Sequence, residues 1–178
     1  NGTSPPGWAG RGRDDGAWKQ SRAQLGYGDG DERTVVSFGP NPARKHITTY
    51  FRRRFTVDDL DDFVALTLRL LRDDGAVVYL NGSEIFRTNM PAGAATKDTL
   101  ASQSAADEGR FVSAAVDLSR LVAGNNQLAV EVHQVQPDSS DISFDLELLA
   151  HRVRQPTAPT DLLATSGSTS QVGLAWKD

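Results

Sequence analysis

Two turn-forming dipeptides, Asp74-Gly75 and Asn81-Gly82, bracket the short apolar run of residues 76–80, and they constrain this chain more than any other feature. Asp-Gly and Asn-Gly tolerate the positive φ angles of tight hairpin turns, and Ala76, Val77, Val78, Tyr79 and Leu80 between them favour extended backbone. The segment therefore predicts strand, turn, strand, turn, strand. It also leaves two adjacent carboxylates, Asp73 and Asp74, at a loop tip.

The rest of the chain repeats the two-residue period. In residues 47–57, Ile47, Thr49, Phe51, Phe55 and Val57 share one side, and Thr48, Tyr50, Arg52, Arg54 and Thr56 share the other. Arg53 is a misfit on the apolar side. Val64, Leu66, Leu68 and Leu70 alternate again; a helix competes for residues 63–72, but flanking acids and the Asp-Asp-Gly stop leave it little room, which favours a strand. Residues 83–87 complete the Asn-Gly hairpin. Residues 88–110 read as a long loop with a short helix, and loops of this length are often functional. Strands follow at 112–118, 128–135 and 142–149, with a helical turn near 119–124. In the last strand Ile142, Phe144, Leu146 and Leu148 point inward. Residues 1–151 thus predict an all-β fold, an antiparallel jelly-roll β-sandwich of about eight strands.

After Ala150 the texture changes. Pro156-Thr157-Ala158-Pro159 marks a stiff linker over residues 152–159. Residues 160–178, with Leu162-Leu163-Ala164 and Val172-Gly173-Leu174-Ala175-Trp176, resemble the first two strands of a fibronectin type III domain. They are too few to close such a sandwich. The fragment implies a modular, extracellular parent.

Composition removes several functions. A net charge of −4 over 178 residues provides no electrostatic footprint for nucleic acid, and the one dense basic run, Arg52-Arg53-Arg54, is split between two faces by strand alternation. With no cysteine there is no disulfide, cysteine metal site or cysteine nucleophile. No apolar run approaches the roughly 18 residues of a membrane span. No signal peptide is visible, and the Gly/Pro-rich opening at Asn1 reads as a processed boundary, in keeping with a secreted protein.

Residues 18–149 resemble a bacterial jelly-roll module of the galactose-binding-domain-like superfamily. The resemblance rests on Leu25-Gly26-Tyr27-Gly28-Asp29-Gly30, Tyr50-Phe51-Arg52-Arg53-Arg54-Phe55, residues 72–82, Leu128-Ala129-Val130-Glu131-Val132-His133-Gln134 and Ser139-Ser140-Asp141-Ile142-Ser143-Phe144-Asp145. The Tyr-Phe-Arg-Arg-Arg-Phe and Val-Tyr-Leu-Asn-Gly pieces are also similar to the sugar-binding jelly roll of family 2 glycoside hydrolases. Such modules stand beside fibronectin type III, phosphoesterase and polysaccharide-active domains in secreted bacterial proteins. The superfamily hosts sugar, lipid, nucleic-acid and purely structural members, so the resemblance speaks to fold more than to ligand.

Three clusters are candidate sites. Asp73 and Asp74 are hard oxygen donors suited to Ca²⁺, and a similar Asp-Asp-Gly occurs in PA14-type lectin domains, where a cis Asp-Asp pair holds a sugar-binding calcium. Plain turn residues bonding their own backbone, a structural calcium site and direct ligand contact are all open readings of the pair. Asp29 and Asp31, in Asp29-Gly30-Asp31-Glu32, have a calcium-loop spacing without the remaining EF-hand ligands, so a solvated turn competes with a shared calcium site. His133 and Gln134, with Ser140 and Asp141 in the next loop, mix imidazole, amide, hydroxyl and carboxylate; this suits a hydroxyl-rich ligand, and a buried network that fixes the loop is the competing reading. Asn89 in the long loop joins that ligand set, and Trp8 in the Gly-rich arm is the expected exposed stacking residue, with Trp18 expected in the core. Asn1-Gly2-Thr3 and Asn81-Gly82-Ser83 match the glycosylation sequon, the second being better read as a turn.

No hydrolase motif accompanies the serine, histidine and aspartate types, and His46, His133 and His151 lack zinc-ligand spacing. The expectation is a non-catalytic, secreted accessory module that binds polysaccharide or another glycan, with Ca²⁺ as cofactor and neighbouring domains of its own polypeptide as partners. The alternative is a ligand-free spacer in a secreted enzyme such as a metallophosphoesterase or glycoside hydrolase.

Overall fold

The alternation in residues 63–72 is realised as a strand (β4, Phe63–Arg72), which buries Leu66, Leu68 and Leu70 to 2%, 0% and 0% exposure. The computed structural model describes residues 7–153, 160–168 and 171–177. The remaining strands of the sandwich are β1 (Leu25–Tyr27), β2 (Thr34–Val35), β3 (Thr48–Val57), β5 (Gly75–Leu80), β6 (Ser83–Thr88), β7 (Val112–Val116), β8 (Gly124–His133) and β9 (Ile142–Arg152). They form two sheets, ordered β2-β1-β9-β4-β7 and β3-β8-β5-β6. Setting aside the two-residue β2, this is the interleaved strand order of a jelly roll. All pairings are antiparallel except the short β1–β2 contact.

The two dipeptides play different parts. Asn81 and Gly82 have φ of 55° and 88° and close the β5–β6 hairpin as expected. Asp74-Gly75 does not make a hairpin: β4 pairs with β7 and β9, and β5 with β6 and β8, so residues 73–74 carry the chain from one sheet to the other. The peptide between Asp73 and Asp74 is cis. Gly75 is required by crowding instead of turn geometry, since a Cβ there would lie 2.7 Å from the Asn89 carbonyl and from Met90 Sδ. The expected helix in residues 88–110 is also absent; that segment is turns and bends. The helical turn near 119–124 is a 3₁₀ turn at Leu118–Arg120, capped by Asp117.

The core lies between the sheets. Leu68, Leu70, Val78, Leu80, Val130, Val132 and Ile142 are almost fully enclosed, and the Phe51 and Phe144 rings stack at 4.1 Å across the layers. A second, smaller cluster forms on the outer face of the four-stranded sheet, where Trp8 packs on Ala129 and edge-on to Tyr50 and Tyr79. Trp8 is therefore 8% exposed, not a free stacking platform. The Gly-rich arm folds back because that face offers two tyrosine rings, and burying the indole there outweighs leaving it in water. Trp18, expected in the core, is only half-buried.

Among the described residues, strand β3 pairs with β8 alone and so forms a sheet edge. Arg53 and Arg54 are exposed on it, the charged blunting that keeps such edges from pairing with other chains. Most of the expected linker lies outside the described residues. Beyond it, strands β10 (Thr160–Ser168) and β11 (Gln171–Lys177) form an antiparallel pair.

Candidate functional site

The sheet register brings acidic side chains together at one rim. Tyr27 of β1 pairs with Ile142 of β9, and Arg72 of β4 pairs with Phe144 of β9. Asp29 follows β1, Asp141 precedes β9 and Asp73 follows β4, so three distant sequence segments end side by side. The Asp73 amide donates to the Ser143 carbonyl at 3.0 Å, fixing the corner against β9. Glu108 arrives from the 89–111 loop. That loop is tied down by the Ser102 amide donating to the Asn89 carbonyl (2.9 Å), by the Ala105 amide donating to Asp74 Oδ1 (3.0 Å) and by Arg72 Nη1 paired with Asp107 (2.7 Å). Carboxylate oxygens of Asp73, Glu108 and Asp141 all lie within 4.8 Å of one another.

This arrangement penalises negative charge. Burial, then the nearby Asp74, Asp141 and Glu108 carboxyls, push Asp73 up to about 8. Burial, then the Asp141, Asp29 and Asp74 carboxyls, raise Glu108 against a lowering contact from Asp73. At Asp29 the Ser143 hydroxyl, donating to Oδ2 at 2.7 Å, favours the ionised form, yet burial and Asp141 outweigh it and the group is raised. The adjacent cations are committed elsewhere: Arg72 to Asp107, and Lys45 Nζ to the carbonyls of Ser139 and Ser140.

The sequence candidates are redistributed. Asp74, paired with Asp73 as a metal donor by sequence, is 3% exposed and spends both oxygens on main-chain amides, Oδ1 on Ala105 and Oδ2 on Val135 (2.8 Å). It clips the long loop to the exit of β8, bonding backbone distant in sequence instead of its own turn, whereas Asp73 faces Glu108 and Asp141. Asp31 belongs to a neighbouring exposed cluster with Asp29 and Glu32, in which Glu32 accepts from the Asp29 and Gly30 amides and closes the turn.

His133 and Gln134, expected to meet ligand, are 0% exposed. His133 Nδ1 lies 2.7 Å from the Thr99 carbonyl and 3.0 Å from Thr48 Oγ1, while Nε2 stands 3.5 Å from Glu131, which accepts the Tyr79 hydroxyl. Gln134 Nε2 donates to Tyr27 OH (2.6 Å) and to the Asp141 carbonyl (3.0 Å), so it positions the loop that carries Asp141. Burial removes both from ligand contact because β8 is the central strand whose end they cap. Asn89 is likewise a fastener, its Nδ2 donating to the carbonyls of Asp74 and Gln103. Ser140 and Asp141 do reach the rim, with the Ser140 hydroxyl donating to Asp141 Oδ1 at 2.5 Å. Glu108 was not foreseen; its only sequence signal is an acid pair, Asp107-Glu108, in a loop flagged as functional by length.

One glycine makes the rim possible. Gly28 has φ +110°, and a Cβ on it would sit 2.6 Å from Asp141 Cβ. Only glycine lets the Asp29 loop lie against the Asp141 loop.

No protein-family model matches the sequence, and no curated protein matches it. Among solved structures, an α-L-rhamnosidase from Streptomyces avermitilis complexed with L-rhamnose aligns at 22% identity with a TM-score of 0.45, over 79% of this chain and 11% of that one. A β-D-mannosidase from Dictyoglomus thermophilum aligns at 18% identity and TM-score 0.34, over 52% and 9%. An α-L-rhamnosidase from Aspergillus terreus aligns at 15% identity and TM-score 0.42, over 64% and 13%. This chain therefore spans 9% to 13% of the length of these three enzymes.

Proposed function

We propose that this chain is a non-catalytic carbohydrate-binding accessory module of a secreted, multidomain protein, and that it takes its glycan through a calcium ion at the Asp73, Glu108 and Asp141 rim. The observation that carries the reading is the convergence of those three carboxylates, with Asp29 beside them, from four separate segments of the chain. Carboxylate oxygens are the donors Ca²⁺ prefers, and a divalent cation relieves the mutual repulsion that raises Asp73 and Glu108. Asp73 is buried while Glu108 is exposed and Asp141 partly so. An ion held there has a protein-bound side and an open side, and the open side is where paired sugar hydroxyls complete the coordination shell. Residues 160–178 are read as the opening of a fibronectin type III domain, which fits a modular parent whose chemistry lies in other domains.

The buried His133–Gln134 network favours a second reading, a ligand-free spacer, because it spends on loop anchoring the groups best suited to hydrogen-bond a sugar. One pair of measurements separates the two. Thermal melting in EDTA and in millimolar CaCl₂, followed by a glycan array in each buffer, should give a calcium-dependent rise in melting temperature and calcium-dependent retention. Both should vanish in an Asp73→Asn/Asp141→Asn variant. Melting and array profiles unaltered by calcium would leave the spacer reading standing.

A further inference from the structure

A second concave region lies at the open edge between the sheets, away from the acidic rim. It is a cleft of about 910 Å³, bounded by the 15–25 segment on one side and by β3 on the other, with Phe51, Val130 and Phe144 in its floor. That volume falls within the roughly 300–1,000 Å³ of small-molecule sites. Its charge is the reverse of the chain's: five cationic side chains line it against the carboxylates of Asp15 and Asp145, in a protein of net charge −4. Asp15 bridges Arg52 and Arg54, and Asp145 Oδ1 accepts the Leu146 amide. Lys19, Arg22 and Arg53 are exposed and make no ion pair among the described residues.

Two further observations point to a ligand. The Arg52 side chain is 2% exposed and held by Gly10, Gln127 and Asp15, while its Nη1 has no hydrogen-bond partner among the described residues, a buried donor of a kind that folded proteins seldom leave unsatisfied. Trp18, half-buried on the cleft wall, has Arg52 Cζ 5.7 Å from its ring centre, so an aromatic surface stands beside a guanidinium group. Arginine presents planar, forked donors that match a carboxylate, and an indole face suits the apolar face of a pyranose ring.

The geometry points to this cleft as a binding site for an acidic polysaccharide, a chain of uronate units whose carboxylates meet the exposed Lys19, Arg22 and Arg53 while a ring lies against Trp18. The site uses none of the rim carboxylates, so it stands whether or not calcium binds there. A smaller cavity of about 380 Å³, with Arg11, Arg13 and Arg54 set against the single carboxylate of Asp14 in its lining, shares Arg54 with the cleft.

The test is affinity electrophoresis in EDTA, which silences the calcium rim. Polygalacturonate is compared with fully methyl-esterified pectin, the same backbone without charge, and with double-stranded DNA as a generic polyanion. Retention by polygalacturonate should exceed that by the other two at least tenfold, and should fall at least tenfold in Arg22→Glu/Arg53→Glu. Trp18→Phe should weaken it less than the charge reversal does. Both arginines are exposed, so a melting temperature equal to wild type will certify that the double variant is folded. No retention, equal retention by esterified pectin, or equal retention by DNA would each overturn the proposal, as would a charge-reversed variant that binds normally.

Discussion

Asp73 and Asp74 are neighbours with opposite duties, and that division can be measured. The Asp74 carboxylate accepts the Ala105 amide at 3.0 Å and the Val135 amide at 2.8 Å, joining the long loop to the end of β8. Hydrogen bonds to a charged group contribute about 1.5–3 kcal/mol each, so Asp74→Ala should lose roughly 3–6 kcal/mol from this clip. Part of that is returned, because removing the charge also relieves Asp73. The expected net cost is at least about 2 kcal/mol, larger than most surface substitutions give. Asp73→Asn should behave differently. Its carboxyl faces other acids, so in EDTA the amide should leave stability unchanged or raise it, while abolishing any response to calcium. Urea denaturation followed by tryptophan fluorescence, at pH 7.5 in EDTA and again in CaCl₂, measures both. If Asp74→Ala lies within about 1 kcal/mol of wild type while Asp73→Asn is the damaging change, the assignment of roles is wrong.

The pH dependence follows from the raised Asp73. Its folded pKa, about 8, lies above the unfolded value of 3.8, so the folded state binds its proton more tightly and the associated stability is complete below pH 3.8 and lost as pH rises through 8. Unfolding free energy in EDTA should therefore fall from pH 4 to pH 8, by at most about 1.4 kcal/mol per pH unit from this group, with melting temperature falling alongside it, and Asp73→Asn should flatten the profile; a wild-type profile already flat would refute it. Gly28→Ala should push the Asp29 and Asp141 loops apart, costing about 1–3 kcal/mol and weakening the calcium-induced rise in melting temperature. A variant with a normal calcium response would show that the close approach of those loops is dispensable. Leu70→Ala, at 0% exposure in the core, should cost about 2–5 kcal/mol in urea with an unchanged m-value.

The fold was legible because the information is local. The two-residue alternation of Leu66, Leu68 and Leu70, and of Ile142, Phe144, Leu146 and Leu148, can be satisfied only by strands with one buried face. Asn81-Gly82 closes the hairpin its chemistry predicts. Asp74-Gly75 misled because the same dipeptide serves a second need: Gly75 is small where Asn89, Met90 and Ala101 crowd it, and spacing along the chain does not distinguish crowding from turn geometry. The long loop has no helix because its polar groups are occupied by partners distant in sequence, such as the Ala101 amide on the Gln134 carbonyl.

The rim was only half legible, for a reason that also explains the cleft. Reading along the chain groups acids that are adjacent in sequence, Asp73 with Asp74 and Asp29 with Asp31. A sheet groups acids that are adjacent in register, and so Asp73 meets Asp141 and Glu108 instead. The same logic separates the basic residues. Alternation divides Arg52, Arg53 and Arg54 between faces, which from sequence alone dissolves the cluster. At an unpaired edge strand, however, the two faces are not isolated from each other. All three arginines border the opening between the sheets, and the 15–25 segment adds Lys19 and Arg22 from across it. The position of β3 at the edge, a topological fact, converts a solvated basic run into the lining of a cleft. An acidic net charge thus conceals two regions of opposite polarity, an acidic rim and a cation-lined cleft.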